Sequence, residues 1–198
     1  MVFFLKKFVL FFFALTAALT ATAAVFQREQ QELAEKLVRL HVVANSDSEK
    51  DQVVKLQVRD AVLAVTADLD ETGLEQALPQ IRAAAEQRLR ELGETSSVSV
   101  SMGEEAFPTR YYDNFSLPAG VYTALRVTIG DGNGQNWWCV AFPSICFRAT
   151  AAELEEAAVT AGFTTEEFRL ITEDGEGYVL KFKALELLDA LKQRLFSS

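Results

Sequence analysis

The sequence predicts an α+β protein in which amphipathic helices pack on a mainly antiparallel sheet, preceded by an N-terminal signal peptide or helix. Three observations carry that expectation. Apolar residues recur at threes and fours in two stretches that follow capping signatures. Apolar and polar residues alternate in several shorter stretches rich in Val, Ile and aromatics, and an uncharged apolar run opens the chain. No internal repeat or low-complexity linker divides the rest, so a single domain over residues 24–198 is expected after the leader.

Lys6 and Lys7 precede the apolar run Phe8 to Leu19, and Ala21-Thr22-Ala23 places small residues where a leader peptidase needs them. That order gives residues 1–23 as a secretory signal peptide. The rival reading is an uncleaved anchor, because Phe8 to Phe26 holds no charge and approaches the roughly 20 apolar residues that span a bilayer. Under either reading the basic end stays inside and everything from about Gln27 onward is exported.

Leu37 to Val43 is dense in apolar and β-branched residues, which predicts a buried strand with Arg39 and His41 on the same side of it. Ser46 and Glu49 have the spacing of a capping box, so a helix is expected to follow, with a stripe of Val54, Val58, Ala61, Val62, Val65 and Leu69. Thr72 and Glu75 give a second box ahead of Leu74, Leu78, Ile81, Ala85, Leu89 and Leu92, with Gly93 at a natural helix end. Pro79 has no backbone N–H to donate, so this helix should start late or bend near Leu78.

Strands are expected where Val98 and Val100 alternate with serines, where aromatics run from Phe107 to Tyr112, and where Val121, Thr123, Leu125, Val127 and Ile129 share a face. Gly130-Asp131-Gly132-Asn133-Gly134 has the chemistry of a hairpin turn, so Trp137 to Phe142 is expected to return as the partner strand. Thr150 and Glu153 form a third capping box, opening a helix to Ala161. Phe168 to Thr172 and Tyr178 to Phe182 are expected to form a second hairpin around Asp174-Gly175-Glu176-Gly177. A last helix would then pack Leu185, Leu188, Leu191 and Leu195 on the sheet.

The formal charge of −9 becomes −11 once Lys6 and Lys7 leave with the leader, 17 basic residues standing against 28 acidic ones. Nucleic acid is therefore excluded as an expected partner, since holding phosphates takes clustered Lys and Arg that the rest of the chain lacks. The acidity favours solubility or a partner with a basic face. The two cysteines, Cys139 and Cys146, suit an oxidising compartment either as a disulfide pinning a small loop or as two quiet buried thiols; their spacing is neither that of C-x-x-C redox enzymes nor that of zinc clusters.

No catalytic constellation is expected. His41 is the only histidine, no G-x-S-x-G elbow accompanies it, and Ser46 reads as a cap rather than a nucleophile. No metal and no cofactor is expected either. Gly130, Gly132 and Gly134 lack the register of a phosphate loop, and Asp131 with Asn133 falls short of a calcium loop. What remains are polar residues at a strand end and paired aromatics, the raw material of an interface hot spot: Arg39, His41, Asn45, Asp47, Trp137 and Trp138 are the partner-binding candidates.

Leu40-His41-Val42-Val43-Ala44-Asn45-Ser46-Asp47-Ser48 and the string from Lys55 to Val62 resemble the opening block of the stage II sporulation protein R family. Leu117 to Val127, the Gly-rich turn, and Asn136-Trp137-Trp138-Cys139-Val140-Ala141-Phe142-Pro143 through Cys146-Phe147 resemble its central signature, so the similar regions span roughly residues 37–147. The resemblance implies a non-enzymatic signal secreted from the forespore into the space between the forespore and mother-cell membranes. There it would activate a membrane-embedded aspartic protease, the stage II sporulation GA protein, which processes the sigma-E precursor; membrane contact would be through the leader alone. Two other readings stand beside it: an exported hydrolase using His41 or a carboxylate pair, and a passive structural protein of the envelope.

Overall fold

The computed structural model describes residues 2–145 and 150–172. In chain order its elements are α1 (Val2–Ala34), β1 (Val38–Val43), α2 (Glu49–Thr66), α3 (Glu71–Gln76), α4 (Leu78–Glu91), β2 (Val98–Phe107), β3 (Arg110–Tyr111), β4 (Ser116–Leu117), β5 (Gly120–Ile129), β6 (Asn136–Phe142), α5 (Ala151–Thr160) and α6 (Thr165–Thr172). Helices and a mixed, mostly antiparallel sheet make the α+β class that the sequence predicts. The expected final helix and the strand from Tyr178 to Phe182 lie outside the described residues.

The main sheet has the order β2-β5-β1-β6. β1 sits inside it, parallel to β5 with Leu40 beside Leu125, and antiparallel to β6 with Leu40 opposite Cys139. β2 closes the other side, antiparallel to β5 from Val98 opposite Ile129 to Phe107 opposite Gly120. Every residue of β1 is buried, which an interior strand covered on both faces requires and which its near-continuous apolar run anticipates.

Strand alternation sorts the core into two clusters. Val38, Leu40 and Val42 face the helices with Leu125, Val127 and Ile129, meeting Val54, Val58 and Val62 of α2 and Ile81, Ala85 and Leu89 of α4. On the opposite face Tyr122, Ala124 and Val140 meet Leu33 at the end of α1, Leu37 just before β1, Leu117 of the β3–β4 hairpin, Leu154 of α5, and Leu170 and Ile171 of α6. A fully buried Leu or Ile in such a cluster stabilises the fold by about 1.5–3 kcal/mol.

α1 is an unbroken helix from the leader through Ala23 to Ala34, and its segment Lys6–Ala34 is long and apolar enough to cross a membrane. Phe8, Leu10, Phe11 and Phe13 on it are exposed, whereas Leu33 is fully buried, so its last turn belongs to the core.

Four expectations need correction. The first helix is capped by Ser48, whose side chain accepts from the Asp51 N–H, and not by Ser46. The next begins at Asp70, whose carboxylate accepts from the Gly73 N–H, rather than at Thr72. α4 then starts afresh at Leu78 with Pro79 in its first turn, the late start that Pro79 demands. The Thr150–Glu153 capping box is present as expected.

The third correction concerns topology. β5 and β6 do not form a hairpin, because β1 lies between them. The glycine-rich segment arches over the end of β1 and bonds to it, Gly134 N–H to the Ala44 carbonyl at 3.0 Å and Asn133 N–H to the Asn45 carbonyl at 3.1 Å.

Finally, Phe168 to Thr172 is helical. Thr164 Oγ1 accepts from the Glu167 N–H at 3.2 Å while the Glu167 carboxylate accepts from the Thr164 N–H at 2.6 Å, a reciprocal cap that starts α6. Lys36 Nζ donates to the same carboxylate at 2.6 Å. Burial works to raise Glu167, but the bonds from Lys36 and Thr164 hold it below the usual carboxylate range.

Candidate functional site

The end of β1 is a knot of short polar contacts. Asn45 Oδ1 accepts from the Asp131 N–H at 3.1 Å, and its Nδ2 donates to Asp51 Oδ2 at 2.9 Å. Ser46 Oγ donates to the same Asp51 oxygen at 2.5 Å, and Asp47 Oδ1 accepts from the Gln135 N–H at 2.7 Å. Lys55 Nζ closes the arch from α2 by donating to the Gln135 carbonyl at 2.9 Å. Hydrogen bonds from Ser46 and then Asn45 favour the ionised carboxylate and hold Asp51 below its ordinary value.

The glycines of the arch are required by close approach. Gly130 has φ +56°, and a Cβ on it would collide with Asn45 Oδ1; a Cβ on Gly134 would collide with the Ser46 carbonyl. Asn45, Ser46 and Asp47 are thus the counter-surface that the Gly-rich segment is built to touch.

A second group occupies the face of the sheet away from α2 and α4. The His41 ring stacks on Trp138 with centroids 3.9 Å apart, and Phe107 meets Trp138 edge-on at 4.9 Å. His41 Nδ1 lies 2.8 Å from Glu105 Oε2, whose other oxygen accepts from Arg126 Nη1 at 3.2 Å. Arg39 is fully buried, with its guanidinium 4.4 Å from the Phe107 ring centre and 5.0 Å from that of Tyr122. It donates through Nε to the Cys139 carbonyl and through Nη2 to the Tyr112 hydroxyl, each at 3.1 Å.

Burial pulls Arg39 below its ordinary value, with the two tyrosines working the other way. Burial pushes the Tyr122 phenol up to about 12, and its hydroxyl donates to the Pro118 carbonyl at 2.7 Å.

The six predicted contact residues therefore do not make one surface. Arg39, His41 and Trp138 lie on one face; Arg39 and His41 are buried, His41 stacks on Trp138, and Arg39 lies against Phe107 and Tyr122. Asn45 and Asp47 brace the arch. Trp137 points to the opposite face, where it packs against the helix-side core and lies under Arg59, 4.8 Å from its guanidinium.

Cys139 is buried and disulfide-bonded, and Cys146 lies outside the described residues. His41 Nε2, the atom that would face a serine nucleophile, is buried with no hydrogen-bond partner among the described residues, while Ser46 is engaged by Asp51. Among the described residues no group of three or more His, Cys, Asp or Glu is placed to hold a metal ion.

Sequence reading missed Glu105, Arg126, Tyr112 and Asp51. Arg126 was signalled by its even position on β5, in phase with Tyr122 and Ala124. Glu105 reaches His41 across 64 residues of chain and carried no local signal.

The model of the family described as stage II sporulation protein R matches residues 34–152, more than half of the chain. A curated relative, the stage II sporulation protein R of Bacillus subtilis (strain 168), is 39% identical over 135 residues, covering 64% of this chain and 60% of that protein. The match thus spans less than two thirds of the relative's length. No solved structure matches the chain. The matched region takes in β1, the strand-end knot, the arch and the Trp138 stack together, and the chain belongs to the stage II sporulation protein R family.

Proposed function

We propose that the chain is an exported sporulation messenger: it leaves the forespore, enters the space between the forespore and mother-cell membranes, and there activates a membrane-embedded aspartic protease of the stage II sporulation GA type that processes the sigma-E precursor. The observation that carries this reading is the conjunction of family membership with a basic-then-apolar N-terminal helix long enough to cross a membrane. The family supplies the sporulation setting, and the helix supplies a physical route out of the compartment of synthesis.

The catalytic aspartates belong to the protease under this reading, and the chain contributes binding energy alone. It must bind the active arrangement of the protease more tightly than the inactive one, since a ligand with equal affinity for both shifts nothing. The test is to place charges in the apolar run, for example Phe11→Asp with Leu15→Asp, in sporulating cells. Export should stop and the sigma-E precursor should stay uncut; normal processing by a chain shown to remain in the forespore refutes the reading.

A further inference from the structure

The two edges of the sheet differ. β6 pairs with β1 on its inner side, and its Cys139 is disulfide-bonded. β2 is the opposite edge strand, ten residues long, and no described strand pairs with its outer side. Ser99, Ser101, Gly103, Glu104 and Ala106 on it are exposed. A strand edge is a row of backbone donors and acceptors ready to template another strand, and sheets blunt it with lysines, prolines or bulges. β2 has no lysine, proline or bulge and runs in unbroken register with β5, and its charges are confined to Glu104 and Glu105, which set the sign of the strand that can join it.

The two carboxylates of β2 are placed differently. Glu105 is engaged by His41 and Arg126. Glu104 is exposed and lines a cleft of about 310 Å³ together with Gln31 of α1, Glu35 in the turn that follows it, and Val121 of β5. Val121 is 58% exposed, so the cleft offers some apolar surface beside two carboxylates.

We propose that the outer edge of β2 accepts an extended segment of the partner protein as a fifth strand, with a lysine or arginine of that segment entering the cleft lined by Glu104 and Glu35. Main-chain bonds would give the affinity and the acidic cleft the specificity. This inference rests on the messenger reading and names the surface that reading needs. A second copy of the chain is the poorer occupant, because two edges of a protein with net charge −9 would bring like carboxylates together.

The test measures residue-resolved amide exchange of the full chain with and without the protease in membranes, and binding of Glu104→Lys beside a control, Glu75→Lys, on exposed α3. Alternate amides of β2 should slow at least tenfold on binding. Glu104→Lys should bind at least tenfold more weakly with its unfolding midpoint unchanged, and Glu75→Lys should bind as the unaltered chain does.

Binding with unprotected β2 amides, or full affinity in Glu104→Lys, overturns the edge proposal and leaves the messenger reading standing. Protection of β2 that grows with chain concentration in the absence of protease assigns the edge to a second copy and overturns the proposal. If the unaltered chain does not bind the protease at all, the messenger reading falls and the edge proposal falls with it.

Discussion

Replacing Gly130 by alanine tests the contact between the arch and the strand end. Gly130 has φ +56°, and an L-residue held there costs roughly 1–2 kcal/mol. The added Cβ would also occupy the place of Asn45 Oδ1, so Asn45 must swing away and give up its bond from the Asp131 N–H, worth about 1 kcal/mol. The expected loss is about 2–3 kcal/mol.

Gly93 supplies the control, since it has φ +72° but nothing within 4 Å of a built Cβ. Gly93→Ala should therefore show the backbone strain alone, about 1–2 kcal/mol. Both variants are compared by equilibrium urea unfolding of the purified chain, followed by circular dichroism. A further Asn45→Ala change should cost less in the Gly130→Ala background than alone, because the two share one contact. Equal losses at Gly130 and Gly93, with additive behaviour of Asn45, would refute the close-approach account.

Tyr122→Phe removes the donor to the Pro118 carbonyl and leaves that buried acceptor unpaired, which should cost about 1–3 kcal/mol in the same unfolding assay; in the folded chain the Tyr122 absorbance should remain that of a phenol until about pH 12, the value to which burial pushes it. Asp51 is held below its ordinary value when folded, so its contribution is fully present above the unfolded carboxylate value, roughly pH 4, and is lost as pH falls through the lower folded value. Asp51→Asn should flatten that part of the acid dependence of the unfolding midpoint, and an unchanged slope would show that Ser46 and Asn45 do not stabilise the ionised form. Under the proposed function, charges in the apolar leader should abolish sigma-E precursor processing, read by immunoblot of the precursor in sporulating cells.

Local physics was legible in the sequence and long-range pairing was not. The β1 run, the α2 and α4 stripes, the restart at Pro79 and the Thr150 cap all depend on residues within one or two turns of each other, and each appears where the spacing places it. The Gly-rich segment misled because positive φ serves a tight hairpin and a close approach equally well. Only the insertion of β1 between β5 and β6 decides between them, and that is a contact across some 90 residues.

The α6 segment misled for a different reason. Phe168, Ile171 and Thr172 are β-formers, but the Thr164–Glu167 cap and the Lys36 ion pair override that preference. Of the candidate site, the grouping of Arg39 with His41 followed from strand alternation and their burial from the apolar run around them, while the aromatic and tyrosine partners that receive Arg39 did not. Those partners come from β2, the segment after it and β5, far along the chain from Arg39.

Activation by binding alone has a thermodynamic floor. Shifting a receptor from 1:99 to 99:1 in favour of its active arrangement takes about 10⁴-fold tighter binding to that arrangement, or about 5.5 kcal/mol. A surface that must order itself on contact loses part of its interaction energy to that ordering, so a messenger gains from one already fixed. In this chain the arch is held by Ala44, Asn45 and Asp47 before any partner arrives, and the edge of β2 is held by ten register pairs with β5. Under the proposed function the ordering is thereby left to the incoming segment of the protease, and a conformational change on that side is what activation requires.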